Sequence, residues 1–468
     1  MRKLLPSLFI TLSSLNASAE QFAPDRQISA VIENIRSSQI KYYDDKLVSF
    51  GTRNTLSDTV SETRGIGAAR RWIAEEMTKC AAKSHGRMTV TLDEHIEPVG
   101  RRVPQPTNIV NVVATLKGTA SPERVIIVSG HYDSRATDVL DVVSDAPGAN
   151  DDASGSAAVL AMACAFAPYE WPATLVFMNV AGEEQGLLGA EHVAEVAAQE
   201  HRNIIGMLNN DIIGSPVGDD GQRDDMQVRL FADGFTPLLK TVLDGQKAPP
   251  TTTLARSPEE SRKMIDTILR SGGIDDTPTH QLGRYLKQAA ESYLPGFHIN
   301  LIHRRDRFLR GGDHLPFLER GYAAVRFTEP FENFAHQHQN IRLENGVKQG
   351  DLSEFVDFSY VARVAQANAA GMGSLALAPL PPQEVGMKVV DLSNDTSLVW
   401  KAPIDQSVAG YRIVWREPAA GVWQHTKDVG LIDHDVLKGI SKDNYVFGVA
   451  AIGQSGAGSL PVFAQPVK

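Results

Sequence analysis

Five short segments of this chain gather histidine and carboxylate residues beside glycines. They are Gly130-His131-Tyr132-Asp133-Ser134, Gly148-Ala149-Asn150-Asp151-Asp152-Ala153-Ser154-Gly155, Ala181-Gly182-Glu183-Glu184-Gln185-Gly186, Asn209-Asn210-Asp211 and Gly311-Gly312-Asp313-His314-Leu315-Pro316-Phe317. On an extended segment residues two apart face the same way, so Asp133 can orient the ring of His131. Singly, each segment has an ordinary reading. A strand-end histidine commonly serves as hydrogen-bonded scaffolding, Asp151-Asp152 suits a helix N-terminus, and Glu183-Glu184 suits a first helical turn. Together they ask for more. Carboxylates gathered in one place repel one another unless cations neutralise them. Two divalent ions do so with one shared carboxylate, and oxygen and nitrogen donors suit zinc. The chain has 2 cysteines, too few for the usual thiolate zinc site, so a metal here is held by histidine and carboxylate.

These segments need elements to deliver them. Apolar runs with strand character occupy 108–114, 124–128, 174–178 and 204–208. Ile66, Ala69, Trp72, Ile73 and Met77 recur at helical spacing, and further helical stretches cover 155–166 and 186–198. This alternation predicts an α/β domain with a mostly parallel sheet between helices. In such sheets ligands bind beyond the carboxyl ends of the strands, which is where the segments fall.

Near residue 378 the pattern changes. Ala378-Pro379-Leu380-Pro381-Pro382 reads as a stiff linker over 378–383. Short strands at 397–400, 410–415 and 444–452 follow, without helical periodicity. They predict a small all-β sandwich over 384–468, similar to a fibronectin type III module, with Trp400, Tyr411 and Tyr445 at core positions. At the other end, Met1-Arg2-Lys3, an apolar run and Ala17-Ser18-Ala19 form the pattern of a secretory signal peptide, 1–19, cleaved after Ala19. The mature chain is then periplasmic or secreted. No stretch reaches the roughly 20 apolar residues of a transmembrane helix. In an oxidising compartment Cys80 and Cys164 either pair or remain two buried thiols. With 46 basic against 56 acidic residues the formal charge is −10, which argues against a nucleic-acid partner.

From about Tyr42 to about Gly373, with Ser49-Phe50-Gly51-Thr52-Arg53 near its start, the chain resembles the M28 zinc peptidases, among them bacterial leucyl-type aminopeptidases. The resemblance rests on the five segments occurring in this order. It implies a zinc peptidase domain over 20–377 with two Zn2+ per chain. In that reading His131 and Asp211 bind one ion, Glu184 and His314 the other, and Asp151 bridges both. Glu183 is the general base: it takes a proton from a zinc-bound water and passes it to the leaving amine. Asp133 supports His131. A cis peptide between Asp151 and Asp152 is also implied, with Gly148 and Gly155 easing the backbone beside it. The substrate is a peptide with a free N-terminus.

Some residues are left over. His336 and His338 have same-face strand spacing, but the five-ligand set is full without them, so structural hydrogen bonding is expected of both. His303 precedes the basic run Arg304-Arg305-Asp306-Arg307-Phe308-Leu309-Arg310, which reads as a surface turn with internal pairing. If those guanidinium forks lined the site they would hold a carboxylate, and the enzyme would be a carboxypeptidase or acidic-peptide hydrolase. A catalytically inactive binding protein is the third reading, and the six intact site residues argue against it.

Overall fold

A computed structural model describes residues 24–234, 258–271 and 273–468; the expected leader lies outside the described residues. The larger part is built on β1 (Met88–Glu97), β2 (Thr107–Leu116), β3 (Ser121–His131), β4 (Ala173–Val180), β5 (Asn203–Asn210), β6 (Gln227–Phe231), β7 (His298–Ile302) and β8 (Ala324–Thr328). Among the described residues these form one eight-stranded sheet in the order β1-β2-β4-β3-β5-β8-β6-β7. The central pairs β3–β4, β3–β5 and β5–β8 are parallel, whereas β1–β2, β2–β4 and β6–β8 are antiparallel.

The central strands are apolar on both faces because helices cover both. Along β3, Ile126 and Val128 point into one core and Ile127 into the other. On the first face lies the helix Ser154–Phe166, whose small apolar residues let it sit almost wholly buried against the sheet and the helices Ser37–Val48 and Phe358–Leu377. Its Cys164 forms a disulfide with Cys80 of the helix Gly65–Ala81, so the two cysteines pair. On the second face Ala190, Ala194 and Ala197 of the helix Leu188–Gln199 pack with Phe317 and Leu318 of the helix His314–Glu319. Because β3, β4, β5 and β8 run the same way, their C-terminal ends share one edge. That edge carries His131, the turn after Val180, Asp211 and the turn after Thr328.

A short hairpin, β9 (Arg342–Glu344) and β10 (Val347–Gln349), follows β8. Beyond it come β11 (Gln383–Lys388), β12 (Thr396–Lys401), β13 (Val408–Arg416), β14 (His425–Val429), β15 (His434–Leu437), β16 (Val446–Gly453), β17 (Val462–Phe463) and β18 (Gln465–Val467). They make two four-stranded sheets, β15-β12-β11-β18 and β14-β13-β16-β17. Trp400 and Tyr411 lie in their shared core, ring centroids 5.5 Å apart, with Leu398, Ile413 and Phe447; Tyr445 is only partly buried.

This β domain is fastened to the sheet domain. The buried Ala378 accepts from Arg124 Nη1 at 2.7 Å, and Leu380 N donates to Asp405 Oδ2 at 2.7 Å. Asp276 pairs with both Arg284 and Arg416, and Trp423 Nε1 donates to Gln281 Oε1 at 3.1 Å. No helix among the described residues is long and apolar enough to cross a membrane.

Candidate metal centre

β3 ends on His131, whose Nε2 stands 3.1 Å from Asp151 Oδ1 and 3.9 Å from Asp211 Oδ1. The other Asp151 oxygen, Oδ2, is 2.8 Å from His338 Nε2, and that nitrogen is 3.0 Å from Glu184 Oε1. Two sets of donors result, His131 with Glu183 and Asp211, and Asp151 with Glu184 and His338. Within each set the donor atoms lie within 4.8 Å of one another.

The loop that carries Asp151 is shaped by two glycines. Gly148 has φ +53°, and a Cβ on it would come within 2.5 Å of the Asp151 carbonyl. Gly155 passes so close beneath Asn210 that a Cβ there would lie 2.4 Å from its carbonyl oxygen. The Asp151–Asp152 peptide is cis. Side chains from remote segments hold this loop by its backbone. Asp351 accepts from the amides of Asn150 and Asp151, both at 2.7 Å. Asp152 accepts from the amides of His131 (2.9 Å), Gly155 (3.0 Å) and Ile212 (3.3 Å), tying the loop to the ends of β3 and β5. The buried Arg53 donates to the carbonyls of Tyr132 (2.7 Å) and Gly148 (2.9 Å).

Asp133 backs His131 twice, with its carbonyl 3.1 Å and its Oδ1 3.4 Å from His131 Nδ1. The same carboxylate accepts from Thr55 Oγ1 at 2.8 Å and from the amides of Glu184 (3.2 Å) and Glu183 (3.4 Å). It thus couples the first histidine to the turn after β4.

His314 is not brought to this cluster. Its Nε2 lies 2.8 Å from the Arg305 carbonyl, and burial pushes the imidazole down to about 4. It opens the helix that leads back to the start of β8, and its ring is spent on the Arg305 carbonyl. His338 occupies the place expected for it. β8 runs parallel to β5, so the chain after Thr328 emerges beside Asp211. A 3-10 turn at Phe334–His336 and a left-handed backbone at His338 (φ +51°) then aim that imidazole inward. The strand spacing expected for 336–340 does not form, and His336 instead stacks on Phe355 with centroids 3.5 Å apart. Position after a strand on the carboxyl edge is the signal that separates His338 from His314. Sequence reasoning also misses Asp313, next to His314. Both of its carboxylate oxygens are buried without a hydrogen-bond partner, and burial, with Asp133 and Asp211 nearby, pushes it up to about 8.

The donor set fits cations. His131 Nε2 and Glu184 Oε1 are buried and face other donors of the cluster, Asp151 Oδ1 at 3.1 Å and His338 Nε2 at 3.0 Å. Burial raises Glu183 well above the usual carboxylate range, with His131 opposing and Asp211 and Glu184 adding to it. Burial also opposes the charge on Asp151, yet His338 and His131 outweigh it and hold that carboxyl well below its usual range. Each oxygen of the Asp151 carboxylate thus faces a separate imidazole, Oδ1 that of His131 and Oδ2 that of His338.

The basic run after β7 pairs with itself and its surroundings. Arg305 meets Glu319, Arg307 meets Asp306 and Glu332, and Arg310 meets Glu332. Arg304 lies over the Phe308 ring. Arg326, buried, bridges Asp211 (2.8 Å) and Asp306 (3.0 Å).

The chain has relatives among known proteins. The sequence pattern of peptidase family M28 matches residues 111–262, a span that holds every strand-end segment except 311–317. The chain is 46% identical over 444 residues to a probable zinc metalloprotease of Leptosphaeria maculans, covering 95% of this chain and 98% of that one. This chain belongs to peptidase family M28. A second probable zinc metalloprotease, from Pyricularia oryzae, is 44% identical over 92% of this chain and 83% of its own. The span shared with the first leaves out too few residues to omit the C-terminal β domain, so that probable zinc metalloprotease aligns with it as well. These relatives are fungal. Likeness to a bacterial enzyme is at the level of fold: the LapA aminopeptidase of Legionella pneumophila superposes with a TM-score of 0.51 at 16% identity, over 77% of each chain.

Proposed function

We propose that this M28 zinc metallopeptidase is a secreted aminopeptidase working with two zinc ions. His131 and Asp211 hold one, Glu184 and His338 the other, and Asp151 lies between them. The observation that carries this reading is the division of the Asp151 carboxylate between two imidazoles that arrive from different strand ends. When bound, the ions supply a Lewis acid for the scissile carbonyl and lower the pKa of water toward neutrality.

The chain's own residues do the rest. Glu183 accepts the proton of the attacking water at its carboxylate and returns it to the leaving amine nitrogen. Asp133 keeps the His131 ring and the Glu183–Glu184 turn in one frame, so that base and ligand cannot shift independently. Glu183 and Asp211 offer negative charge for the ammonium group of a peptide. Support for amino-end specificity comes from the cations near the cluster among the described residues, which already have partners. Arg305, Arg307 and Arg310 are ion-paired, Arg304 lies over the Phe308 ring, Arg326 is held by two aspartates, and Arg135 donates to the carbonyls of Ala136 and Thr137 and lies 3.9 Å from Glu184 Oε2. The Cys80–Cys164 disulfide supports an oxidising compartment and hence secretion. We read the two C-terminal sheets as a fibronectin type III-like module.

The test is a panel of free, N-acetylated and C-amidated leucyl dipeptides, with zinc content measured alongside. Loss of turnover on N-acetylation, with at least two zinc ions per chain, is the expected result. Comparable rates on free and N-acetylated substrates, together with loss on C-amidation, overturn it in favour of a carboxypeptidase.

A further inference from the structure

A second cluster of metal-ligating side chains lies apart from the centre described above. β6 and β7 run antiparallel to β8, so the chain leaving β7 at Ile302 emerges on the side away from His131, Asp211 and His338. There His303 meets Asp275, in the 3-10 turn Gly273–Asp276, and His280, in the first turn of the helix Pro278–Tyr293. One donor atom from each lies within 4.8 Å of the other two. His303 Nδ1 is 3.6 Å from Asp275 Oδ1, and the two imidazole centroids are 4.4 Å apart, tilted by 50° rather than stacked.

The local packing sets His280 up as a ligand. Thr277 Oγ1 lies 3.0 Å from His280 Nδ1. In the tautomer where that hydroxyl accepts from Nδ1–H, the Nε2 lone pair is left for an ion, the way ligand imidazoles are commonly oriented. That hydroxyl is hemmed in, since a Cβ on Gly234 would overlap it and reach within 3.1 Å of His280 Nδ1. His280 is buried, whereas Asp275 and His303 are partly open to solvent, which leaves an ion a way in.

The charges around the pair are mixed. Asp275 and Asp233 act on His280 as anions, while Arg284 and Arg416 are paired with the buried Asp276. Burial first, then His303 and Arg284, push His280 down to about 4. Burial and Arg284 likewise lower His303, with Asp275 and Asp276 opposing and Arg416 adding. Both rings are therefore neutral near pH 7, the form that binds metal.

We propose that Asp275, His280 and His303 form a third divalent-metal site, of the imidazole-and-carboxylate kind that takes zinc, with its remaining position open to water. Zinc with donors at about 2.0–2.2 Å in a tetrahedron needs donors roughly 3.3–3.6 Å apart. The His303–Asp275 pair, at 3.6 Å, already meets that spacing, and all three donors lie within 4.8 Å of one another. The site would join a turn, a helix start and a strand end. That helix also carries Gln281, Arg284 and Tyr285, which contact Trp423, Gly421 and Gly458 of the C-terminal β domain. The ion is thus a structural clasp beneath the seat of that domain, not a participant in peptide hydrolysis.

The experiment is zinc analysis of the full-length protein after zinc loading and gel filtration, comparing wild type with His303→Ala. The variant should hold one zinc fewer per chain and keep its kcat on a leucyl dipeptide. Equal zinc content in a folded variant overturns the proposal. A variant-independent reading comes from an anomalous difference map of wild-type crystals at the zinc edge. A peak bounded by Asp275, His280 and His303 supports the site, and a map without that peak overturns it.

Discussion

Oδ2 of Asp151 lies 2.8 Å from Nε2 of His338, although one residue comes from the loop after β3 and the other from a turn beyond β8. The contact makes His338, not His314, the partner of Glu184. His338→Ala is expected to release one zinc ion and to lower kcat/KM by more than the roughly 10–100-fold typical of changes to groups that merely support a ligand. His314→Gln should keep both ions. Metal analysis with steady-state kinetics on both variants decides between them, and loss of zinc from the His314 variant alone would reverse the assignment.

Glu183 and Glu184 are neighbours with different tasks. Glu183→Gln should reduce turnover by about 10²–10⁴-fold, the range for removing a positioned general base, while zinc stays at wild-type content. Asp151→Asn should lose zinc and activity together, because that carboxylate lies between the two proposed ions. If the Glu183 variant sheds its metal in proportion to its activity, Glu183 is a ligand rather than the base.

Much of this site is legible in the amino-acid sequence. The ends of β3, β4 and β5 are each announced by an apolar run that stops at a glycine or a polar residue, and strand–helix alternation gives the edge on which they meet. The fifth ligand is not legible, because three histidines compete for it and only the direction of β8 chooses among them. Nor does any local pattern give a role to Asp351 or to Arg53, although Arg53 stands in the 49–53 motif. Each acts on the Asp151 loop from far away in the sequence, through backbone hydrogen bonds that have no periodicity to read. Cys80 and Cys164 sit in separate helical stretches, and their pairing follows from how those helices pack.

Acid should weaken the arginine cluster beside the centre. Glu332 lies 3.0 Å from Arg307, 2.7 Å from Arg310 and 3.0 Å from Arg229. Burial raises its carboxyl, but the three guanidinium groups outweigh it and hold it below the usual range. A carboxyl depressed on folding adds stability that is complete above its unfolded value of about 4.3 and is lost as pH falls through the folded value. Glu332→Gln should therefore be less stable than wild type at pH 7, by on the order of 3 kcal/mol, and the gap should shrink below about pH 4. Urea unfolding across pH checks this; a gap that stays constant down to pH 3 contradicts it.

The C-terminal domain should prove inseparable from the rest. In the sequence the proline-rich 378–383 stretch reads as a linker between two parts, but buried contacts cross it. Asp276 Oδ2 is 2.6 Å from Arg416 Nη2, and its Oδ1 is 3.0 Å from Arg284 Nη1, with all three side chains almost fully enclosed. Burial pushes Asp276 up despite its two partners and Arg284 down to about 10, so desolvation outweighs the attraction between them. Such a cluster adds little net stability when complete, yet removing one member leaves charge buried without a partner, at a penalty of about 3–5 kcal/mol. A chain ended at Ala378 strips Arg416 from Asp276, Trp423 from Gln281 and the Gly458 carbonyl from Tyr285 in one cut. Its melting temperature should fall by roughly 10 °C relative to the full chain. Asp276→Asn should reproduce part of that loss with the β domain still present. Calorimetry and dipeptide kinetics on the three proteins give the answer: a truncated chain that melts with the full-length protein and keeps its kcat/KM would make the domain a detachable module after all.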